Sequence, residues 1–176
     1  NLLLTSFRNK LAFREIKKGV MRAWDSGLGI VFSGSPRTMG EAKDLVPLIL
    51  KYYGKKNIKV FALEIPAQFS IDRNSKRLIC SACGSPLLTA YYPSKYPKHC
   101  PLCGGPLYKR TLDNPKTIKV RLKEYHKRTE PLFQFMREYG FRVTPIDARP
   151  APYKIFEHIM RFVGKKHDNV KDRRRD

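Results

Sequence analysis

Apolar residues recur near helical spacing at the start of the chain. Phe7, Leu11, Phe13, Ile16, Val20 and Trp24 predict an amphipathic helix over 7–25. The run Leu28-Gly29-Ile30-Val31-Phe32 reads as a short buried-type strand, and Ser33-Gly34-Ser35-Pro36-Arg37-Thr38 as the loop after it. A helix is expected over roughly 38–53, ending before Gly54, then a second strand over 60–65 and a short helix after Pro66, about 67–75. The pattern then changes. Residues 77–110 are rich in Pro, Tyr, Gly and Cys, with short strand-like pieces such as Leu87-Leu88-Thr89-Ala90-Tyr91-Tyr92. Asn114-Pro115 marks a helix start, with Asn as cap and Pro at the first helical position. Ile118, Leu122, Tyr125, Thr129, Leu132, Met136 and Tyr139 line one face of a long helix that Gly140 ends. A third strand over 141–146 and a last helix over about 151–163 follow, with a charged tail, 164–176, expected to be disordered. Strands alternating with helices imply an α/β fold with a parallel sheet and crossovers. Ligands of such sheets sit beyond the carboxyl ends of the strands, so the loops 33–38 and 147–150 are expected to meet near one site.

A length of 176 residues suits one domain, or one domain with a small insert, and 41% hydrophobic residues suffice for a core. No apolar run approaches the roughly eighteen residues of a transmembrane helix, and Leu2-Leu3-Leu4 is too short for a signal peptide. A membrane-spanning role is therefore not expected, and a cytoplasmic protein is. Charge narrows the partners: 36 Lys and Arg against 15 Asp and Glu leave a net +21. Such an imbalance favours nucleotides, nucleic acid or an anionic membrane surface, or else is a solvated basic surface without a partner.

The four cysteines read Cys80-x2-Cys83-x16-Cys100-x2-Cys103. Two short pairs separated by a loop form a zinc pattern, each pair making a tight knuckle that turns two thiolates inward. Two disulfides or unpaired core thiols are the alternative, but no secretory segment supports an oxidising compartment. Four thiolates leave no open coordination position, so the expected zinc is structural. His99, beside Cys100, reads as a surface neighbour rather than a ligand, and no catalytic pairing is visible for His126 or His158. Residues 77–110 are too few to hold themselves together without the metal.

Several ordered motifs carry a resemblance. Gly34-Ser35-Pro36-Arg37-Thr38 after a buried strand is similar to the Asp-Gly-Phe-Pro-Arg-Thr motif of adenylate kinases. Ile71-Asp72-Arg73, then Arg77, then Cys-x2-Cys-Gly, resembles the entry to their lid, and Cys100-Pro-Leu-Cys103-Gly104-Gly105 its second knuckle. Arg110, Asp113, Thr117, Arg121, Leu122, Tyr125, Thr129, Pro131 and Leu132 match a further stretch in order and spacing, and Ile146-Asp147 resembles the Ile-Asp-Gly before the family's last helix. The match runs from about residue 10 to 163.

This resemblance implies reversible transfer of the γ-phosphoryl group of ATP, with magnesium, onto AMP or a related nucleoside monophosphate. It implies a P-loop-kinase-like parallel sheet with flanking helices: a partial core over 1–76, a zinc-stapled lid over 77–113, the rest of the core over 114–163 and a basic tail over 164–176. It assigns Arg37 and Glu41 to the acceptor monophosphate and Arg73, Arg77 and Pro150 to ATP. Arg110 and Arg121 become the clamp on the transferred phosphoryl, and Cys80, Cys83, Cys100 and Cys103 the zinc ligands. The family is usually monomeric. Arginine suits these roles because it stays charged and binds phosphate as a fork.

The departures shape the expectation. The family's phosphate-binding Gly-x-x-x-x-Gly-Lys loop is not in this sequence, which starts at Asn1 rather than Met. The expectation is thus an N-terminally truncated kinase that does not transfer phosphoryl groups unaided. Ser33 and Leu112 replace aspartates, Glu41 stands where a Gln reads the acceptor adenine, and Ala148 replaces a Gly. A second reading is a non-catalytic zinc protein that reuses the fold to bind nucleic acid. Its support is the charge, the tail Lys171-Asp172-Arg173-Arg174-Arg175 and the interleaved Tyr91, Tyr92 and Tyr96.

Overall fold

A computed structural model describes residues 2–92 and 97–164, with side chains from Phe13 onward. The expectations placed on the side chains of Phe7 and Leu11, on Tyr96 and on the tail beyond Gly164 lie outside the described residues. The chain forms two compact units, one of residues 1–60 and 124–144, the other of 61–123 and 145–176.

The first unit is built on α1 (Leu2–Asp25), α2 (Met39–Tyr53) and α5 (Pro131–Glu138). The α2 helix starts where the sequence directs it. Thr38 is extended at the cap, and its hydroxyl accepts the Glu41 N–H at 3.3 Å. Ala42, Leu45, Val46 and Ile49 recur on one face and are buried. That face joins two clusters, Val20 with Leu45 and Ile49, and Val46 with Met136 and Phe141. Trp24 meets the Tyr53 ring edge-on at 5.4 Å, and the Tyr53 hydroxyl donates to the Leu28 carbonyl at 3.0 Å.

Two expectations fail. The segment Leu28 to Phe32 is not a strand. Ile30 and Phe32 pack against the Val20 cluster, but Leu28 is 61% exposed, Val31 is 93% exposed, and no described strand lies beside them. Apolar, β-prone residues favour an extended backbone, but a ladder needs a neighbour to take its N–H and C=O groups. The long helix expected after Asn114 is instead two, α4 (Pro115–Arg128) and α5. Pro131 has no N–H to continue the ladder, and the Thr129 and Glu130 amides both close back on the Tyr125 carbonyl, at 2.8 and 3.0 Å.

The second unit holds most of β1 (Val60–Glu64) and β5 (Val143–Asp147), which pair as a parallel sheet. The pairing runs past the strand ends, where the Ala148 N–H donates to the Glu64 carbonyl at 2.8 Å. Ala62 and Ile146 are its buried centre. The α3 helix (Ala67–Ser75) follows Pro66 as expected, and α6 (Pro152–Val163) begins with Pro at its first position. Phe162 of α6 lies 6.0 Å from the Phe61 ring. Asn114 caps α4, its side-chain oxygen accepting the Thr117 N–H at 2.9 Å. The insert is a three-stranded antiparallel sheet in the order β3-β2-β4, from β2 (Leu78–Cys80), β3 (Pro86–Leu87) and β4 (Leu107–Tyr108). Of the strand-like piece expected over 87–92, Leu87 alone joins it; Thr89 to Tyr91 wind into a 3-10 turn.

Candidate metal centre and arginine site

Each cysteine pair closes a turn of the same form. The Gly84 N–H returns to the Cys80 carbonyl at 3.0 Å, and the Gly104 N–H to the Cys100 carbonyl at 2.9 Å. Both glycines have positive φ, 72° and 73°, a conformation other residues adopt only under strain. The Cys83 N–H points at the Cys80 sulfur, 3.4 Å away. Gly105 admits no side chain: a Cβ there would sit 2.7 Å from Ala82 Cβ and 3.1 Å from Cys80 Sγ. β2 and β4 thereby bring the knuckles face to face. All four Sγ atoms lie within 4.8 Å of one another, with Cys80 to Cys103 at 3.4 Å and Cys83 to Cys100 at 3.7 Å. A zinc–sulfur bond of about 2.3 Å in a tetrahedron requires sulfurs about 3.8 Å apart. The donor set fits that ion in chemistry as well as in size. Hydrogen bonds from the Ser85 hydroxyl and amide, then from the Cys103 and Cys80 thiols, draw the Cys83 thiol down to about 6. At Cys103 the Gly105 amide pulls down, but the Cys83 and Cys80 thiols push the group up to about 12. Crowded thiols resist ionising together, and a dication at their centre removes that penalty. His99 is exposed and is not among the clustered donors.

The chain enters the insert through Arg77 and leaves it through Asp113, and these two residues close its base. Arg77 Nε and Nη2 donate to the two Asp113 oxygens at 3.0 and 2.7 Å. Asp113 is 0% exposed. Arg121 Nη1 approaches the same carboxylate at 3.8 Å, and the Asp113 N–H donates to the Arg110 carbonyl at 3.1 Å. The Arg77 hydrogen bonds hold the Asp113 carboxyl below its ordinary range against the opposing effect of burial, and the charges of Arg77, Arg110 and Arg121 add to them. Three guanidinium groups against one carboxylate leave a surplus of positive charge. The Arg121 side chain keeps 48% exposure, so part of that surplus faces solvent. In the sequence, Asp113 stands in the matched stretch with no role of its own. The signal available was that it is the one acid between Arg110 and Lys123.

A second gathering forms at the end of β5. Arg73 Nη1 donates to the Ala148 carbonyl at 2.8 Å. Arg149 pairs with Asp147 at 2.9 Å, and the Tyr91 hydroxyl, from the insert, donates to the Arg149 carbonyl. Arg73 and the loop that contains Pro150 are thus brought together, as are Arg77, Arg110 and Arg121.

Arg37 and Glu41 belong to the first unit. The Glu41 carboxylate accepts the Arg37 N–H at 2.7 Å, while the Thr129 hydroxyl donates to the Arg37 carbonyl at 3.1 Å. Glu41 is therefore engaged in holding the loop that presents Arg37. His126 pairs with Glu130 at 2.8 Å on the surface, and the His158 ring lies 5.5 Å from that of Phe162, tilted by 40°.

No family model matches the chain. Curated relatives do. It is 36% identical over 132 residues to the adenylate kinase of Caldicellulosiruptor saccharolyticus, covering 75% of this chain and 61% of that protein. It is 33% identical over 150 residues to the adenylate kinase of Methanosarcina barkeri, covering 85% and 68%. Against the adenylate kinase of Methanosarcina mazei it is 32% identical over 165 residues, covering 94% and 71%. The chain spans about three fifths of the length of the Caldicellulosiruptor relatives. With the two Methanosarcina proteins matched over more than two thirds of their length, the chain belongs to the adenylate kinase family.

Proposed function

We propose that the chain serves a nucleoside monophosphate kinase, which moves the γ-phosphoryl group of magnesium-bound ATP reversibly onto AMP or a related monophosphate. The observation that carries this reading is the surplus of guanidinium charge around Asp113, at the base of the four-thiol insert. Phosphoryl transfer asks little covalent chemistry of a protein. It asks for in-line positioning, positive charge on the equatorial oxygens and exclusion of water.

In this reading Arg110 and Arg121 clamp the migrating phosphoryl. Arg77 keeps its Nε and Nη2 edge on Asp113 and offers its remaining nitrogen to the donor phosphates. Arg73 and Pro150 flank the donor base. Arg37 binds the acceptor phosphate, and Glu41 acts through Arg37 by fixing its loop. Residues 77–113 are the lid that closes over the donor. Zinc held by Cys80, Cys83, Cys100 and Cys103 would stiffen that lid and take no part in the transfer. Residues 1–176 contain no Gly-x-x-x-x-Gly-Lys sequence. The amides and lysine such a loop directs at the donor phosphates must then come from outside these residues, whose own contribution is the lid, the clamp and the acceptor loop.

Calorimetric titration with magnesium-ATP tests the donor half. The parent should bind saturably and release heat, and Arg110→Ala should weaken binding about tenfold or more, the loss of one charge-assisted contact. Equal affinity in parent and variant would remove Arg110 from the clamp on the γ-phosphoryl group of ATP.

A further inference from the structure

The arginine site uses one side of α4; its opposite side carries a different pattern. Lys116, Lys119 and Lys123 are exposed, and none pairs with a carboxylate among the described residues. At about 100° per residue they fall within an arc of about 60°. Val120, 63% exposed, flanks the arc. Ile118, 4% exposed, and Arg121, beside Asp113, point away from that arc. A solvated surface helix ordinarily interleaves acids with its lysines at three- and four-residue spacing. Here the one acid of α4, Glu124, is engaged by Arg128 at 2.7 Å.

We infer that this lysine row binds the phosphodiester backbone of a nucleic acid strand. Seven residues of helix advance about 10 Å, a span of about three phosphates at 3.4 Å each. A lysine is a point charge suited to phosphate without base preference, so the row binds without reading sequence. An anionic lipid surface is the other polyanion within reach of a net +21 chain. Membrane-surface helices, however, bury a broad apolar face beside their basic one. On this side of α4 the apolar content is Val120, while Ile118 is buried within the protein. The surface is separate from the proposed phosphoryl clamp and does not depend on it.

The test is fluorescence anisotropy of a labelled 20-nucleotide single-stranded RNA of mixed sequence, titrated with the full chain from 50 to 300 mM salt. The α4 triple variant, Lys116, Lys119 and Lys123→Ala, is compared with a control triple of equal charge, Lys43, Lys56 and Lys59→Ala. Alanine favours helix, and far-UV circular dichroism checks that both fold. The α4 triple should lower affinity at least tenfold and reduce the slope of log affinity against log salt by about 2, three contacts at roughly 0.7 each. The control triple should change the slope by less than half as much. Equal losses in the two triples would mean diffuse attraction and overturn the inference. So would an α4 triple that binds as the parent does, or binding to phosphatidylserine vesicles with none to RNA.

Discussion

At the residue scale, Asp113 organises the arginine site. It is fully buried, shares two hydrogen bonds with Arg77 and has Arg121 within 3.8 Å. Removing the charge strands three cations around a neutral group, so Asp113→Asn should lower stability by about 3 kcal/mol, the low end for a buried pair because Arg77 stays 20% exposed. The sign of the pH effect follows from the lowered folded value. The stabilisation is fully present above the ordinary value of 3.8 and is lost as pH falls through the folded value below it. Urea melts from pH 7 to pH 2.5 should show the parent's stability dropping below about pH 4 and a smaller drop in Asp113→Asn. Parallel curves would mean that Asp113 gains nothing from its arginines. The arginines themselves were legible because their spacing matches a family stretch. Their shared carboxylate was not, because spacing along a chain does not show which acid three separated cations converge on.

At the element scale, the insert should depend on metal. Its strands are two or three residues long, too short to persist alone, while its four sulfurs lie within 4.8 Å of one another. In Cys80→Ser, amide exchange over 77–110 should rise toward the unprotected rate, with β1 and β5 keeping their protection and zinc content falling well below one per chain. A variant with full zinc and unchanged exchange would contradict the ligand assignment. The helices were largely readable from local signals: Thr38 and Asn114 cap as their chemistry suggests, and α3 and α6 fall where the prolines place them. The misreadings were of partners and breaks. Leu28 to Phe32 has the composition of a strand, but composition does not provide the neighbour that makes one. The apolar face from Ile118 to Tyr139 continues in period across Pro131 even though the hydrogen-bond ladder cannot. The run from Leu87 to Tyr92 is apolar enough for a strand, yet Thr89 to Tyr91 turn, and Thr89 instead donates to the Lys76 carbonyl at 3.0 Å.

At the scale of the whole molecule, family membership and charge point to different partners. The relatives named adenylate kinase match 68% and 71% of their length in the Methanosarcina proteins, and this supports small-nucleotide chemistry. The net charge is +21, and the exposed Lys116, Lys119 and Lys123 of α4 contribute to it. No described helix is long and apolar enough to cross a membrane. Phosphoryl transfer is read out by ³¹P NMR of ATP, AMP and magnesium incubated with the protein as its own gene produces it, beside the Arg121→Ala variant. The ADP resonances should grow to an ATP–AMP–ADP equilibrium. In Arg121→Ala that growth should be slowed about a hundredfold or more, the scale for losing one transition-state contact, with the melting temperature nearly unchanged. Equal rates in parent and variant, or no ADP from either while both remain folded and bind ATP, would contradict the proposed function.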